Sequence, residues 1–132
     1  MRDTNQMIAG MAPRLQPGAW YFCKLDAGDR RLNDLVPKTL GMFREPEAVS
    51  LVLSDVDMKA AGLDGEGPMA WLQLDVMSAL DGVGLTAAVS AALSEAGIPA
   101  NVVAAYHHDH VFVPHELGPK AVAALEQRAR EA

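Results

Sequence analysis

The sequence predicts an α+β protein whose mostly antiparallel sheets carry helices on one face. Residues 69–76 alternate between apolar and polar side chains, which is typical of a half-buried strand. Apolar residues then recur at helical spacing over 85–96. Two valine-rich and aromatic runs follow, 100–106 and 110–113, on either side of a short polar turn. A strand–helix–strand–strand order of this kind packs its helix against one face of a sheet.

The pattern of this unit is regular along its whole length. Leu72, Leu74 and Val76 fall on one face of the predicted strand, with Trp71, Gln73 and Asp75 on the other. Gly97 stands where a left-handed C-cap would end the helix, and Pro99 prevents the helix from continuing. A last amphipathic helix is predicted over 119–130.

The first part of the chain is less regular. Residues 19–25 are rich in aromatic side chains and predict a strand. The polar, glycine- and proline-broken stretch 26–41 predicts a loop with one short turn, and a hairpin is expected from 42–44 and 48–53. Before them, a short helix with Met7, Ile8 and Met11 on its apolar side would end before Pro13.

A short helix is predicted over 55–61. Ser54, with Asp57 three residues later, resembles a capping box, and Gly62 would end the helix. Residues 63–68 are predicted to be a linker.

A weak internal repeat divides the sequence into two halves. Residues 43–63 and 106–125 both predict a strand end, a polar turn, a strand and a helix. We therefore predict domains at 1–64, which lacks a long helix, and 69–132, which lacks one edge strand. The predicted strand 19–25 is the best candidate to fill that edge, because an exposed edge favours association. The alternative is that any two α+β halves would show such a similarity.

Composition excludes several classes of function. The 132 residues are 50% hydrophobic, enough for a packed core, and the net charge of −6 argues against a nucleic-acid partner. No apolar run reaches the roughly 20 residues of a membrane span, and no signal peptide is recognisable. A single cysteine, Cys23, cannot form an internal disulfide, which indicates a cytoplasmic protein.

The turn before the long helix is the first candidate ligand site. Gly82 and Gly84 allow the backbone to approach a ligand closely, and the free N–H groups at the start of the helix favour a carboxylate. Asp81 would meet an α-ammonium group, and the Asn101 amide would bind either group. The alternative is structural: Asp81 caps the helix, the glycines form a tight turn and Asn101 caps a strand edge.

A histidine-rich turn is the second candidate. The cluster contains imidazole and carboxylate groups that bind transition metals, namely His107, His108, Asp109, His110 and His115. Only His108 and His110 would share a face of an extended strand, so they are weak candidates for metal ligands. The alternative is a polar hairpin whose histidines form local hydrogen bonds or face a subunit interface.

No pattern indicates catalysis or a cofactor. Cys23 lies between aromatic and aliphatic residues, where a thiol is normally buried and inert. The sequence contains no phosphate-binding loop, and the glycine pair at 82 and 84 is too short for a dinucleotide fingerprint. We therefore predict that the protein is not an enzyme and has no cofactor.

Several segments together resemble a known family, the small stand-alone bacterial ACT-domain proteins, which are related to the tandem ACT regulatory region of aspartate kinases. The segments are 80–89, 96–103 and 106–114, with weaker agreement at 15–18 and 43–45. The resemblance implies tandem ferredoxin-like ACT subdomains and an amino acid or similar small effector bound at an interface between modules or chains. Carried over by position, the ligand-facing residues would be Ser78, Leu80, Asp81, Gly82, Val83, Gly84, Leu85, Asn101 and Val102.

The resemblance implies a regulatory sensor without catalytic activity whose partner is a small molecule. The alternative is a ligand-free interaction module in which exposed strands and the Trp71 face form a homodimer. Metal binding by residues 107–110 ranks third.

Overall fold

The computed structural model describes residues 4–75 and 84–132. The chain divides into two units, which differ from the predicted domains of 1–64 and 69–132. Gly18–Met69 forms one unit, here called the inserted unit, and Met1–Pro17 joins Ala70–Ala132 in the other, here called the flanking unit. Residues 1–17 therefore belong with the C-terminal half of the chain.

The inserted unit forms an antiparallel sheet in the order β3-β4-β2-β5. Its elements are β2 (Trp20–Leu25), α2 (Arg31–Leu35), β3 (Gly41–Arg44), β4 (Val49–Ser54), α3 (Asp55–Ala60) and the first residues of β5 (Glu66–Leu74). The prediction of a linker over 63–68 is wrong for its second half. Glu66 already pairs with Phe22, and backbone pairing makes a strand of residues whose side chains suggest a turn.

The flanking unit contains the rest of β5 in a sheet of order β1-β5-β7-β6. Its other elements are α1 (Thr4–Gly10), β1 (Pro13–Leu15), α4 (Leu85–Glu95), β6 (Asn101–Ala104), β7 (Asp109–Pro114), a 3₁₀ turn (His115–Leu117) and α5 (Gly118–Arg130). No helix of the described residues is long and apolar enough to cross a membrane.

The edge of the flanking sheet beside β5 is occupied by β1. Pro13 lies opposite Leu74 and Leu15 opposite Leu72, whereas the sequence analysis assigned this edge to strand 19–25. Residues 20–25 instead pair with β4 and with the first residues of β5. A three-residue strand is too short to show a period of two, and a proline is tolerated only at such an edge.

Each unit has a core of its own. In the flanking unit the predicted helical face is confirmed, because Leu85, Val89 and Leu93 of α4 are buried. In the inserted unit, Val49, Leu51 and Leu53 of β4 alternate into the core. Ser54 caps α3 as predicted, since its hydroxyl accepts a hydrogen bond of 3.1 Å from the Asp57 N–H.

Both units have the ferredoxin-like arrangement, so the predicted fold class of two ACT-like subdomains is confirmed. Each contributes a strand, a helix, two strands and a second helix in this order, with a fourth strand beside the first. The units differ in the first helix, which has 11 residues in α4 and five in α2.

Candidate functional site

The predicted ligand turn is only partly within the described residues. Ser78, Leu80, Asp81, Gly82 and Val83 lie outside them. Gly84 and Leu85 are described and mark the start of α4.

Among the described residues, no side chain caps the start of α4. Gly84 is the N-cap residue, its φ is 100°, and its carbonyl oxygen accepts a hydrogen bond of 2.9 Å from the Ala88 N–H. Asp81 lies outside the described residues, so the alternative in which it caps the helix stays a prediction, although the N-cap position itself is Gly84. Because Gly84 has no side chain to cap α4, an anion is one partner that the N–H groups of the first turn could bind.

Asn101 and Val102 lie at the other end of α4. The 11 residues of this helix span about 16 Å. Asn101 begins β6 after the helix has ended, and its side chain is exposed. Within one chain, Gly84 and Asn101 therefore do not come together around one small ligand.

A polar cluster marks the end of β5, directly before the predicted ligand turn. Arg14 of β1 donates a hydrogen bond of 2.9 Å from Nη1 to Oδ2 of Asp75, and Gln73 donates one of 3.2 Å to Oδ1. These hydrogen bonds, that of Arg14 first, lower the pKa of Asp75, and the charge of nearby His108 lowers it further. The β6–β7 turn is therefore close to the end of β5.

The histidines of this turn have different environments. His110 Nδ1 accepts a hydrogen bond of 3.0 Å from Trp71 Nε1, and burial lowers the pKa of His110. Asp109 is buried, which raises the pKa of its carboxyl group. His108 Nδ1 is buried and has no hydrogen-bond partner among residues 4–75 and 84–132. The His110 hydrogen bond therefore joins β7 to β5 across 39 residues of sequence and is not the local bond within the hairpin that was predicted.

No three His, Cys, Asp or Glu side chains come close enough to share a metal ion within 4–75 and 84–132. His108 and His110, the weak candidates for metal ligands, do not form part of such a group. One nitrogen of His110 is already committed to Trp71. Among the described residues, nothing gathers a cofactor site either.

Sequence reasoning missed two features. The first is the meeting of Asp75, Arg14 and His108 at the end of β5, which depends on the unpredicted strand β1. The second is an open groove in the inserted unit, described below. Asp75 follows the alternation of the predicted strand on its polar face, so no signal in the sequence set it apart.

Comparison with known proteins agrees with the fold. Two family models, both described as ACT domain, match the chain. One matches residues 1–70 and the other matches residues 66–127. A comparison with curated proteins finds no match.

Solved structures give a closer similarity. A Vibrio cholerae protein described as of unknown function and a possible transport protein is 37% identical, with a TM-score of 0.82, and the match covers 95% of this chain and 94% of that one. An Agrobacterium tumefaciens protein is 19% identical with a TM-score of 0.72, covering 90% and 89%. The ligand-free regulatory subunit of aspartate kinase from Thermus thermophilus is 13% identical with a TM-score of 0.61, covering 91% and 98%, which shows a shared fold alone.

The fold and the family models define a tandem ferredoxin-like protein of the regulatory, ligand-binding class. The chain belongs to the ACT domain family.

Proposed function

We propose that this protein is a non-catalytic sensor that binds an amino acid at the turn between β5 and α4. The observation that supports the proposal is that α4 begins at Gly84, a residue with no side chain to cap the first-turn N–H groups. Such a helix end stabilises a carboxylate. Asp81 would bind the ammonium group, and Ser78, Leu80, Gly82, Val83 and Leu85 would surround the ligand.

The position of Asn101 favours a site shared by two chains. Among the described strands, β6 is an edge strand that pairs only with β7, and Val103 on it is 47% exposed. Antiparallel pairing of two β6 strands about a two-fold axis would set Asn101 of the partner subunit beside Ala104. This is the end of the sheet at which α4 begins, so Asn101 and Val102 would reach the ligand from the second chain.

The same edge supports the second candidate function, a dimerisation module without ligand. Tyr106, two residues after the end of β6, is 82% exposed, and an open edge carrying apolar side chains favours pairing with another chain. The Trp71 face is a weaker candidate than predicted, because Trp71 is half-buried and bonded to His110.

Thermal unfolding against each standard amino acid at about 5 mM tests the sensor. An effector with a Kd of about 50 μM would add about 2.7 kcal/mol, a shift of several degrees. Asp81→Ala should remove this shift without lowering the midpoint of the free protein. The matched control is Asp64→Ala, because Asp64 is an exposed acid in the inserted unit.

Sedimentation of wild type and Val103→Lys distinguishes the two candidates. Lysine at this edge should disrupt a β6–β6 dimer and abolish the ligand-induced shift if the site is shared. A dimer that dissociates while no amino acid shifts the midpoint would favour the interaction module. A ligand shift that persists in the monomer would contradict the shared site.

A further inference from the structure

The inserted unit contains an open groove that has no counterpart in the sequence analysis. Its volume is about 710 Å³, within the usual range of small-molecule sites. It lies between the loop after β2, helix α2 and the edge strand β3. Apolar side chains line it, namely Leu32, Val36, Met42 and Val49.

The short first helix explains why this groove is open. Helix α2 has five residues, whereas the corresponding α4 has 11 and packs three buried side chains onto its sheet. Val36, just after α2, is 47% exposed, and Met42 on β3 is 40% exposed. Apolar side chains thus form the walls of a surface that a longer helix would cover.

The charged residues around the groove are of two kinds. The acidic groups already have partners: Asp29 accepts hydrogen bonds of 2.8 and 3.1 Å from the Arg31 side chain, and Glu45 accepts one from the Ser50 hydroxyl. The hydrogen bonds from Arg31 lower the pKa of Asp29 to about 2, so this carboxylate stays charged and bonded near neutral pH.

The arginines of the groove have no such partners. In the part of the chain that the structure describes, the Arg30 and Arg44 side chains form neither an ion pair nor a hydrogen bond. Both line the groove. Glu45 also lines it, and its Ser50 partner is neutral, so the lining keeps two positive charges against one negative charge although the whole chain carries −6. A guanidinium group binds a carboxylate through two parallel hydrogen bonds.

We propose that this groove binds a small carboxylic acid with an apolar body and no ammonium group. Arg30 and Arg44 would hold the carboxylate, while Val36 and Met42 would cover the apolar part. An α-amino acid fits less well, because its ammonium group would lie near two guanidinium groups. The Asp29 carboxylate is already paired with Arg31, which leaves Glu45 alone to balance the ammonium group. The proposal does not rest on the amino-acid site at α4.

NMR titration with phenylacetate tests the proposal in the full chain. The probe is added to about 10 mM, which saturates a site with a Kd of about 1 mM. We expect shifts of the backbone amides of residues 27–33 and 42–45. Arg30→Gln and Arg44→Gln should each weaken binding by about tenfold or more, since each removes a charge-assisted hydrogen-bond pair.

Two controls are matched to this design. Lys38→Gln removes a nearby exposed positive charge that does not line the groove, and it should leave binding unchanged. Val36→Glu places a negative charge on an apolar wall and should weaken binding without removing either arginine. Unchanged thermal midpoints of all four variants would show that they fold.

Titration with two other ligands could contradict the proposal. Phenylacetamide has the same shape without the charge, and equal affinity for it would overturn the role of the arginines. Competition by inorganic phosphate at equal concentration would show an anion site that needs no apolar body and would overturn the proposal. Amide shifts that follow protein concentration instead of phenylacetate would assign the groove to a second copy of the chain.

Discussion

The two units of this protein share one fold but differ in the length of their first helix, and this length decides how much of the sheet face stays exposed. In the flanking unit, α4 buries Leu85, Val89 and Leu93 and closes one face of the sheet. In the inserted unit, α2 buries only Leu35, and a groove remains beside β3. The surface proposed for binding is therefore a helix end in the flanking unit and an open face in the inserted unit.

The largest expected contrast is between core truncations in the two first helices. Leu93 is fully buried in α4, and Leu93→Ala should cost about 3–5 kcal/mol of unfolding free energy through the cavity it leaves. Leu35→Ala should cost about 2 kcal/mol, because the open groove allows the site to collapse.

The two tryptophans allow each unit to be followed separately. Trp20 lies in the inserted unit and Trp71 in the flanking unit, so Trp71→Phe and Trp20→Phe backgrounds report one unit each in urea unfolding. Equal costs for the two leucine truncations would contradict the proposed difference in packing.

The next largest effect on stability is expected from alanine substitutions of the glycines near the starts of α4 and α2. At Gly84 a Cβ would lie 2.8 Å from Thr4 Cγ2 and φ is +100°, so Gly84→Ala should cost about 1–3 kcal/mol. At Gly28, beside α2, a Cβ meets no atom within 4 Å, and Gly28→Ala should change stability by less than about 0.5 kcal/mol.

A double variant separates clash from backbone strain at Gly84. Thr4→Ser removes the methyl group that the new Cβ would meet. If the clash dominates, Gly84→Ala should cost less in the Thr4→Ser background. An unchanged cost would assign the effect to the positive φ alone.

A smaller effect is expected at the second helix of the inserted unit. Ser54→Ala removes the side-chain cap of α3 and should cost about 1 kcal/mol. Ser54→Asp, which retains a capping oxygen, should lose much less in the same urea titration. Equal losses in both variants would show that the cap does not contribute.

The last effect depends on pH and is confined to the flanking unit. Burial raises the pKa of Asp109, so the folded state binds the carboxyl proton more tightly than the unfolded state does. The contribution of Asp109 to the free energy of unfolding therefore falls as the pH rises from the unfolded pKa through the raised pKa of the folded state. Asp109→Asn should therefore be more stable than wild type at pH 7, with the difference vanishing near pH 3. Thermal midpoints across this range measure it, and a constant difference would contradict the assignment.

Local patterns were sufficient to predict the flanking helix, the Ser54 cap and the alternation of Leu72 and Leu74 into a core. They work because period, capping chemistry and glycine conformation act over a few neighbouring residues. The candidate site was predicted only in part. The start of α4 lies where the sequence predicts it, while the ligand-binding roles of residues 78–83 stay a prediction.

Tertiary structure alone decided three features. Strand β1 exists because Pro13–Leu15 pair with β5 from 57–61 residues away in sequence, and no periodicity marks three residues. The ion pair of Arg14 with Asp75 depends on that pairing. The groove at Arg30 and Arg44 depends on α2 ending before it covers β3. The sequence by itself determined the repeated unit, and long-range pairing decided which segments complete each sheet and which surfaces stay open.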